Sequence, residues 1–487
     1  MRGALVRGAG VGLILSASVA AAQSAGKPSD GAPVAAPAGK TLPLDGAVPP
    51  TSQATTNAGD AVAVVAPTTS NPAPAPGNNA GDDAPTETPP SSITQLPADA
   101  PTQAGAVPEA PPPLHVVPPG EIPGHLSATA LGIRWDFFGE LVVNTNYNTS
   151  TMVVGSIPGF VQIRSAATTG QFNVSPGNTF LGVSATPPRL GAVQLQAKFD
   201  MDFRSNAPYL NENAFLPLVR DLYLEATWSR LHLLAGQAAD IISPRSSATL
   251  NFYPLSFIPG DIGDYRPQFR VEWHHPMADW MEVTLQAAIA QAVQTFAVSD
   301  TVQATQAGIP DFQGHLGLAF GGERDDGPRV FECGVAGHYG RRQVTISAKQ
   351  YTSWSFVTDA SLRLTDSTLI EGEYFIGQLL GDYSGAIFQT IDPTTQVAIR
   401  ARGGWVQITQ RIGSRLTLHA GFGTDDPFDQ DLADAERRSN TEVFANAVVR
   451  VVAGLKIGLE FSGWWTGWVN RETATAFRTE LAIIYGF

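Results

Sequence analysis

Residues 193–203 read VQLQAKFDMDF, with an apolar side chain at every odd-numbered position and a polar one at every position between. Because successive side chains of a β-strand point to opposite faces, this stretch forms a strand with one apolar face and one polar face. Its eleven residues match a membrane-spanning strand of about 9–11 residues, whereas strands of soluble proteins average about five or six. The stretch therefore predicts a strand with lipid on one face and water on the other.

The same alternation recurs later in the chain, for example in 268–273, 416–422 and 455–461. Short turn signals fall near 186–188, 229–230, 276–277, 321–328, 366–367, 413–414 and 453–454. Longer polar stretches fall at 146–177, 204–217, 238–264, 291–314, 340–350, 378–400, 424–440 and 469–474. Seven turns and eight loops join sixteen strands, and this arrangement is typical of bacterial outer-membrane barrels. Residues 127–487 therefore predict an all-β domain, a 16-stranded antiparallel transmembrane β-barrel with both chain ends on the short-turn, periplasmic side.

The last strand carries a stripe that ends at the final residue: Phe477, Thr479, Leu481, Ile483, Tyr485 and Phe487. Outer-membrane barrels usually end in such an aromatic residue, so Tyr485 and Phe487 are the expected assembly signal for the barrel-assembly machinery. Trp464, Trp465 and Trp468 suit the boundary between outer-membrane lipid and water. The acidic residues of the loop 424–440 suggest contacts with lipopolysaccharide through divalent cations.

The first 126 residues have a different composition. Residues 1–22 carry Arg2 and Arg7, a short apolar core and the small residues Ala20–Ala22, which is typical of a secretory signal peptide. Residues 23–126 hold 22 of the 37 prolines, and such a segment cannot bury enough apolar area to offset its chain entropy. We expect a disordered Pro/Ala-rich periplasmic tail, which is either a spacer or a tether that contacts peptidoglycan.

Composition argues against several other classes of protein. Acidic residues outnumber basic ones by 44 to 30, for a net charge of −14, which opposes nucleic-acid binding. The single cysteine, Cys333, permits neither an intrachain disulfide nor a cysteine-based zinc site. Past residue 22 the sequence has no apolar run of about 18 residues, the length of a membrane-spanning helix. We expect no cofactor, no metal and no nucleic-acid partner.

A barrel of sixteen strands is wide enough for an aqueous lumen, and the predicted lumen-facing side chains are polar. The sequence shows no folded plug domain before the barrel. It therefore predicts a porin in the outer membrane of a Gram-negative bacterium that lets small hydrophilic solutes diffuse passively. Two alternatives stay open, a structural anchor protein with a non-conducting barrel and an outer-membrane hydrolase. We expect no enzyme activity, because no motif joins His419 or another histidine to a serine.

One long loop, residues 238–264, differs from the others in its apolar content. Its apolar residues include Ile241, Ile242, Leu250, Phe252, Tyr253, Leu255, Phe257 and Ile258. A loop with so many apolar side chains has to pack against other residues, and the inner barrel wall is the natural surface. We expect the loop to fold inward and narrow the lumen, with Asp240, Arg245, Asp261 and Asp264 as its polar lining. The alternative is an outer loop that covers a neighbouring subunit.

The polar phase of the strand after this loop places Arg266 and Arg270 on the lumen side, because Phe269 falls on the lipid side. The same phasing adds four cations on other strands, namely Lys198, Arg363, Arg411 and Arg478. Rings of charge at a narrowing select ions, and guanidinium groups bind carboxylates in a fork. The 35 acids against 26 basic residues of 127–487 argue mildly for cations instead. The alternative for each lumen arginine is a structural ion pair with an acid on the next strand.

Four short motifs carry a resemblance to a known family. They are Gly236-Gln237, Tyr265-Arg266-Pro267-Gln268-Phe269-Arg270, Gly403-Gly404-Trp405-Val406-Gln407 and Gly421-Phe422-Gly423-Thr424-Asp425-Asp426-Pro427. In this order and spacing they resemble the DcaP-like outer-membrane porins, over about residues 130–487. The resemblance implies a sixteen-stranded homotrimeric porin for dicarboxylates and other small anionic solutes, with Arg266 and Arg270 as functional lumen residues. Members of that family can carry a helical coiled-coil segment before the barrel, where this chain has its Pro/Ala-rich tail.

Overall fold

The chain was examined as a computed structural model. The structure describes residues 126–152, 158–164, 169–203, 217–251, 257–293, 302–303, 308–324, 327–344, 349–392 and 394–487. The signal segment 1–22 and all but the last residue of the tail 23–126 lie outside the described residues, so the expectations for both stay predictions. Within the described part, no helix has the length and apolar content needed to cross a membrane.

The described chain forms a closed antiparallel barrel of sixteen strands, which confirms the predicted fold class. The wall strands are β2 (Ile133–Asn148), β4 (Phe180–Thr186), β5 (Val193–Asp202), β6 (Leu218–Trp228), β7 (Leu231–Ala239), β8 (Tyr265–Ala278), β9 (Met281–Ala290), β11 (Asp311–Phe320), β12 (Phe331–Val344), β13 (Gln350–Thr365), β14 (Thr368–Gln378), β15 (Arg400–Ile412), β16 (Leu416–Pro427), β17 (Arg437–Val452), β18 (Leu455–Trp468) and β19 (Ala474–Gly486). Each strand pairs with its sequence neighbours, and β19 pairs with β2 to close the ring, with Leu481 opposite Thr145.

Three short strands pair with the ends of wall strands and so extend the wall beyond its sixteen main strands. β1 (Leu126–Ala130) pairs with β2 beyond the end of β19. β3 (Gln171–Ser175) pairs with the far end of β2, in line with β4, and β10 (Val302–Gln303) pairs with the end of β12. Short 3₁₀ turns occupy Leu380–Tyr383, Ala386–Phe388 and Asp429–Asp431, all in long loops. The single ring of the barrel is therefore built from nineteen strand segments.

The two faces of the wall follow the two-residue period of the sequence. On β8 the outward side chains Phe269 and Val271 are 72% and 47% exposed, whereas Arg266 and Gln268, on the opposite phase of the same strand, are at most 4% exposed. Large apolar side chains such as Leu222 and Leu224 are also exposed on the outer surface. An outer surface so rich in apolar groups suits contact with lipid, because soluble monomers rarely expose large contiguous apolar patches.

The connections alternate between the two ends of the barrel as the sequence predicts, and the longest loops share one end. At that end, however, only residues 345–349 join β12 to β13 and only residues 469–473 join β18 to β19, because β12 continues to Val344 through part of the predicted loop 340–350. One turn was placed wrongly: the β8–β9 turn lies at Asp279 and Trp280, not at Pro276 and Met277. The strand continues past Pro276 because its register with β9 shifts between Pro276 and Ala278, and such an irregularity accommodates a residue that has no N–H to donate.

The C-terminal residue is fixed at the short-turn end of the barrel. The Phe487 amide donates to the Gly139 carbonyl at 3.1 Å, and the Gly139 amide donates back to the Phe487 carbonyl at 3.3 Å. Tyr485 points outward and is 48% exposed. The role of Tyr485 and Phe487 as an assembly signal stays a prediction.

We predict that Val271→Arg destabilises the barrel by about 2–4 kcal/mol, the cost of a cation on the lipid face at mid-membrane depth. Val271 lies outward, half-way along β8. Val451→Arg, at the exposed penultimate residue of β17 beside the short turn, is the matched control and should cost only about 0–1 kcal/mol. Denaturant unfolding in lipid vesicles measures both. Equal costs at the two positions would contradict the assigned lipid face.

Candidate functional site

The β7–β8 loop, residues 240–264, contacts strands far from its own. The Ala248 amide donates to Gln407 Oε1 on β15 at 2.7 Å, and the Leu250 amide donates to Glu460 Oε2 on β18 at 2.7 Å. In a closed ring of sixteen strands, β15 and β18 lie on the side opposite β7 and β8. Both acceptors are buried side chains on the polar, inward phase of their strands. The loop therefore reaches the inward face of the far wall.

Apolar side chains of the loop pack on the apolar residues that interrupt the otherwise polar inner face. Leu250 and Ile258 are buried, and a Cβ added to Gly458 would lie 2.7 Å from Leu250, so glycine makes room for the loop there. The inward residues that receive the loop are Val142, Ala482 and Ile484 around Leu250, and Trp405 and Phe444 around Ile258. The apolar residues Phe252, Tyr253 and Leu255 lie outside the described residues.

A second loop, which the sequence analysis treated only as a polar connection, packs beside the first. The β14–β15 loop, residues 379–399, buries Leu380, Tyr383 and Ala386 almost completely. They form one apolar cluster with Ile242 and Ile262 of the β7–β8 loop. The inward residues that complete this cluster are Ala336, Val357, Phe375 and Ala401. The apolar residues in 379–391 were the same kind of signal that marked 238–264, and they would have identified this loop.

The backbone of the β14–β15 loop is strained. Leu379, Ser384 and the consecutive residues Ala386–Phe388 have φ between 50° and 62°, although none of them is glycine. Each left-handed residue costs roughly 1–2 kcal/mol, so the surroundings must hold the conformation in place. Two hydrogen bonds do so at Ile387: its amide donates to Asp425 Oδ2 at 2.7 Å, and its carbonyl accepts from Arg437 Nε at 3.0 Å.

Arg266 lies inward as predicted but is fully buried. Its Nε lies 2.7 Å from Asp240 Oδ1, and its guanidinium stacks on the Tyr383 ring with 3.8 Å between the guanidinium carbon and the ring centroid. Arg270 is nearly as buried; it donates to the Ala239 carbonyl at 2.8 Å. The geometry favours a structural role for both arginines, and their predicted contact with solute stays a prediction.

Arg245 is the predicted loop cation that reaches the wall acids. Its Nε donates to Asp359 Oδ1 at 2.9 Å, Nη2 lies 3.4 Å from Glu332 Oε2, and its backbone amide donates to Glu373 Oε1 at 2.8 Å. The neighbouring carboxylates raise the pKa of Arg245 against the opposing effect of burial, which is the largest single influence. Glu371 lies on the same wall. Sequence phasing alone could have found these four acids, which are inward on β12, β13 and β14.

The structure does not bring the other predicted cations into one ring. Lys198 pairs with Asp221 at 2.7 Å, and Arg478 pairs with Glu480 at 2.6 Å, on different parts of the wall. Arg363 donates to the carbonyl of Pro328 at 3.1 Å in a short turn, and Arg411, the penultimate residue of β15, is exposed near that end. The expected ring therefore divides, with Arg363 and Arg411 at the end of the barrel away from the long loops.

The three predicted aspartates of the β7–β8 loop hold the loop itself. Asp240 and Asp264 exchange hydrogen bonds at the loop base, where the Asp264 amide donates to Asp240 Oδ2 at 3.0 Å. Burial raises the pKa of Asp240 to about 6, although the Arg266 charge opposes the rise. Asp261 is half-buried between Ser243 and Ser247. Burial raises the pKa of Asp261 to about 8, against the hydrogen bonds from those serines.

The fold resembles solved outer-membrane channels. The outer membrane channel DcaP of Acinetobacter baumannii shares 14% identity and a TM-score of 0.60, over 74% of this chain and 99% of that chain. An anion-selective porin from Comamonas acidovorans shares 11% identity and a TM-score of 0.50, over 73% of this chain and 100% of that chain. No family model and no curated protein matches the sequence. At these identities the likeness shows the fold alone.

We predict that the β7–β8 loop loosens as pH rises through the pKa of Asp261. Because the folded pKa lies above the ordinary value, the contribution of Asp261 to loop packing is greatest in acid and is lost as pH rises through about 8. Hydrogen exchange at the Ala248 and Leu250 amides, corrected for intrinsic rates, should accelerate over that range. Asp261→Asn should weaken the dependence, and Glu373, which shares the Ser243 hydroxyl with Asp261, should supply the remainder. Asp426→Asn at the exposed rim should leave the dependence as it is in the parent. A dependence that Asp261→Asn leaves unchanged would contradict the assignment.

Proposed function

We propose that this chain is an outer-membrane porin through which small hydrophilic solutes diffuse passively. The observation that carries the proposal is the closed ring of sixteen strands with an apolar outer face and a polar inner face. A ring of this size leaves room for water inside. The likeness in fold to solved outer-membrane channels supports the same function.

The β7–β8 loop is proposed to narrow the lumen. Its hydrogen bonds to Gln407 and Glu460 on the far wall support a path across the interior. The β14–β15 loop packs beside it and fills a further part of the lumen at the same end of the barrel. Solute would then pass between the loops and the inner faces of the remaining strands.

Both anionic and cationic solutes find support. Anionic, dicarboxylate-like solutes are supported by the family resemblance of the sequence and by the arginines on the inward phase. Cationic solutes are supported by the wall around Arg245, where Glu332, Asp359, Glu371 and Glu373 outnumber the single guanidinium. The second observation is the stronger, because Arg266, Arg245 and Arg478 each already pair with a carboxylate of the protein at 2.9 Å or less.

The remaining features of the proposal come from the sequence. A homotrimer in the outer membrane, contacts with lipopolysaccharide, assembly by the barrel-assembly machinery and a tail directed into the periplasm are all proposed on that basis. Among the residues that the structure describes, one serine–histidine arrangement bears on the hydrolase alternative: His338 lies within 2.8 Å of the hydroxyl groups of Ser353 and Ser355. His338 is buried beneath Tyr383, and this burial supports a structural role for the arrangement.

We predict steady, stepwise conductance when the purified protein is inserted into a planar lipid bilayer, because a porin holds a permanent aqueous path. A structural anchor with a blocked barrel would give no steps, which would contradict the proposal. A salt gradient across the same bilayer then gives the ion preference from the sign of the reversal potential. Protein inserted after heat denaturation serves as the control for leakage.

We predict that Glu332→Gln lowers the ratio of cation to anion permeability, because it removes a partly exposed carboxylate from the inner wall. A screened contact is worth up to about 1 kcal/mol, so the ratio should change by up to about fivefold. Arg245→Gln should shift it the other way. Arg402→Gln, in an exposed pair with Asp426, is the matched control. An unchanged ratio in both wall variants would remove these residues from the selectivity site.

A further inference from the structure

We infer that a buried cluster of two arginines fastens the β14–β15 loop to the β7–β8 loop and thereby sets the width of the passage. The cluster consists of Asp240, Arg266, Asp311, Arg342, Asp382 and Tyr383, and we call it the arginine joint. The inference rests on the proposed channel function and goes beyond it, because it assigns a positioning role to a second loop. It also gives Arg266 a different task from the solute contact that the sequence suggested.

Arg266 connects both loops to the wall. It extends from β8 and pairs with Asp240 at the base of the β7–β8 loop, with 2.7 Å between Nε and Oδ1. Its Nη2 donates to the backbone carbonyl of Asp382 at 3.1 Å, and its plane stacks on Tyr383, both in the β14–β15 loop. A planar guanidinium can serve a carboxylate, a carbonyl and an aromatic face together. One side chain therefore spans three elements.

Arg342 makes the second connection. From β12 it donates to both oxygens of Asp311 on β11, at 2.7 Å and 2.8 Å, and its Nε donates to Asp382 Oδ2 at 2.6 Å. The Tyr383 hydroxyl donates to Asp311 Oδ2 at 2.7 Å. Asp311 lies 3.5 Å from Arg266 as well. The two arginines thus share Asp311 on the wall and the dipeptide Asp382–Tyr383 on the loop.

The joint is closed to water. Arg266, Asp311, Arg342 and Tyr383 are fully buried, and Asp382 is 2% exposed. Two positive and three negative side chains nearly balance, and bidentate geometry of this kind is strong and specific in direction. Removal of one partner would leave a buried charge without compensation, which is far more costly than the loss of a surface pair. The joint is therefore suited to hold a position and not to bind a passing solute.

The segment that the joint holds would not keep its place unaided. The described part of the β14–β15 loop has six non-glycine residues in the left-handed region, a conformation that persists only where the surroundings enforce it. The two loops also touch directly, since the Gly263 amide donates to the Tyr383 carbonyl at 2.8 Å. Ile262 packs so closely that a Cβ on Gly385 would lie 3.0 Å from it. Release of Asp382 and Tyr383 would therefore free both loops at their contact.

The test separates loop position from charge selection. Asp382→Asn and Tyr383→Phe each remove one attachment with little change in volume, and Arg342→Gln removes the second arginine. Each variant should show a higher single-channel conductance and faster swelling of liposomes in neutral sugars too large for the parent protein. The reversal potential in a salt gradient should stay close to that of the parent, because no group in the joint is exposed. The double variant Arg342→Gln/Asp382→Asn should add little to Arg342→Gln alone, since the two residues act through one contact.

The control is Arg402→Gln, which makes the same chemical change in an exposed pair and should leave conductance unchanged. Heat-modifiable migration in detergent gels confirms that each barrel folds; Tyr383→Phe is the mildest change and keeps the test open if Arg342→Gln fails to fold. A parent protein without conductance would overturn the proposed function and this inference with it. A conducting parent whose folded variants keep its conductance and sugar cut-off would overturn the joint alone. A changed reversal potential at unchanged conductance would also overturn it, and would return these residues to the solute pathway.

Discussion

The structure depends on one constraint, that a backbone amide or carbonyl at membrane depth needs a hydrogen-bond partner within the protein. The sheet can meet it only by closing, and β19 pairs with β2 to do so. Where the backbone pairing between neighbouring strands is interrupted, side chains supply the missing hydrogen bonds. Between β3 and β4 the Thr179 hydroxyl accepts from the Val142 amide at 3.0 Å and donates to the Val142 carbonyl at 3.2 Å. The side chain of Thr179 thus replaces a missing pair of backbone groups.

Closure decides what the inner face must contain. The polar phase turns inward, but a wall this close to packed loops cannot be polar everywhere. Phe375 and Trp405 stand on the inward phase of β14 and β15 and are buried beneath the loops. Such exceptions to the alternation mark the places where a loop rests. Charged residues elsewhere on the inner face, such as Arg266 and Glu460, make their contacts with loop atoms as well as with the wall.

The fold was predictable because its signals are local. Period-two alternation and turn composition gave the sixteen strands, and the error at Pro276 arose because a strand irregularity tolerates proline where a regular strand does not. The site was less predictable because its partners are distant. Phasing placed Arg266 inward, yet its contacts with Asp240 and with the carbonyl of Asp382 depend on where two loops settle. Alternation shows which face a side chain occupies, and it cannot show whether water or a loop covers that face.

The positions of the contacts of the β7–β8 loop also constrain the order in which the chain can fold. The loop follows β7, but Gln407 and Glu460, which accept its hydrogen bonds, belong to β15 and β18, which are synthesised much later. A chain interrupted after β14 would hold Ile258 without Trp405 and Phe444. In the same chain, Leu250 would have Val142 but would lack Ala482 and Ile484. Ring closure joins segments more than three hundred residues apart, and contacts of such separation form slowly. During biogenesis the loop is therefore an aggregation hazard until the last strands arrive, and chaperones that shield unfinished chains have this segment to protect.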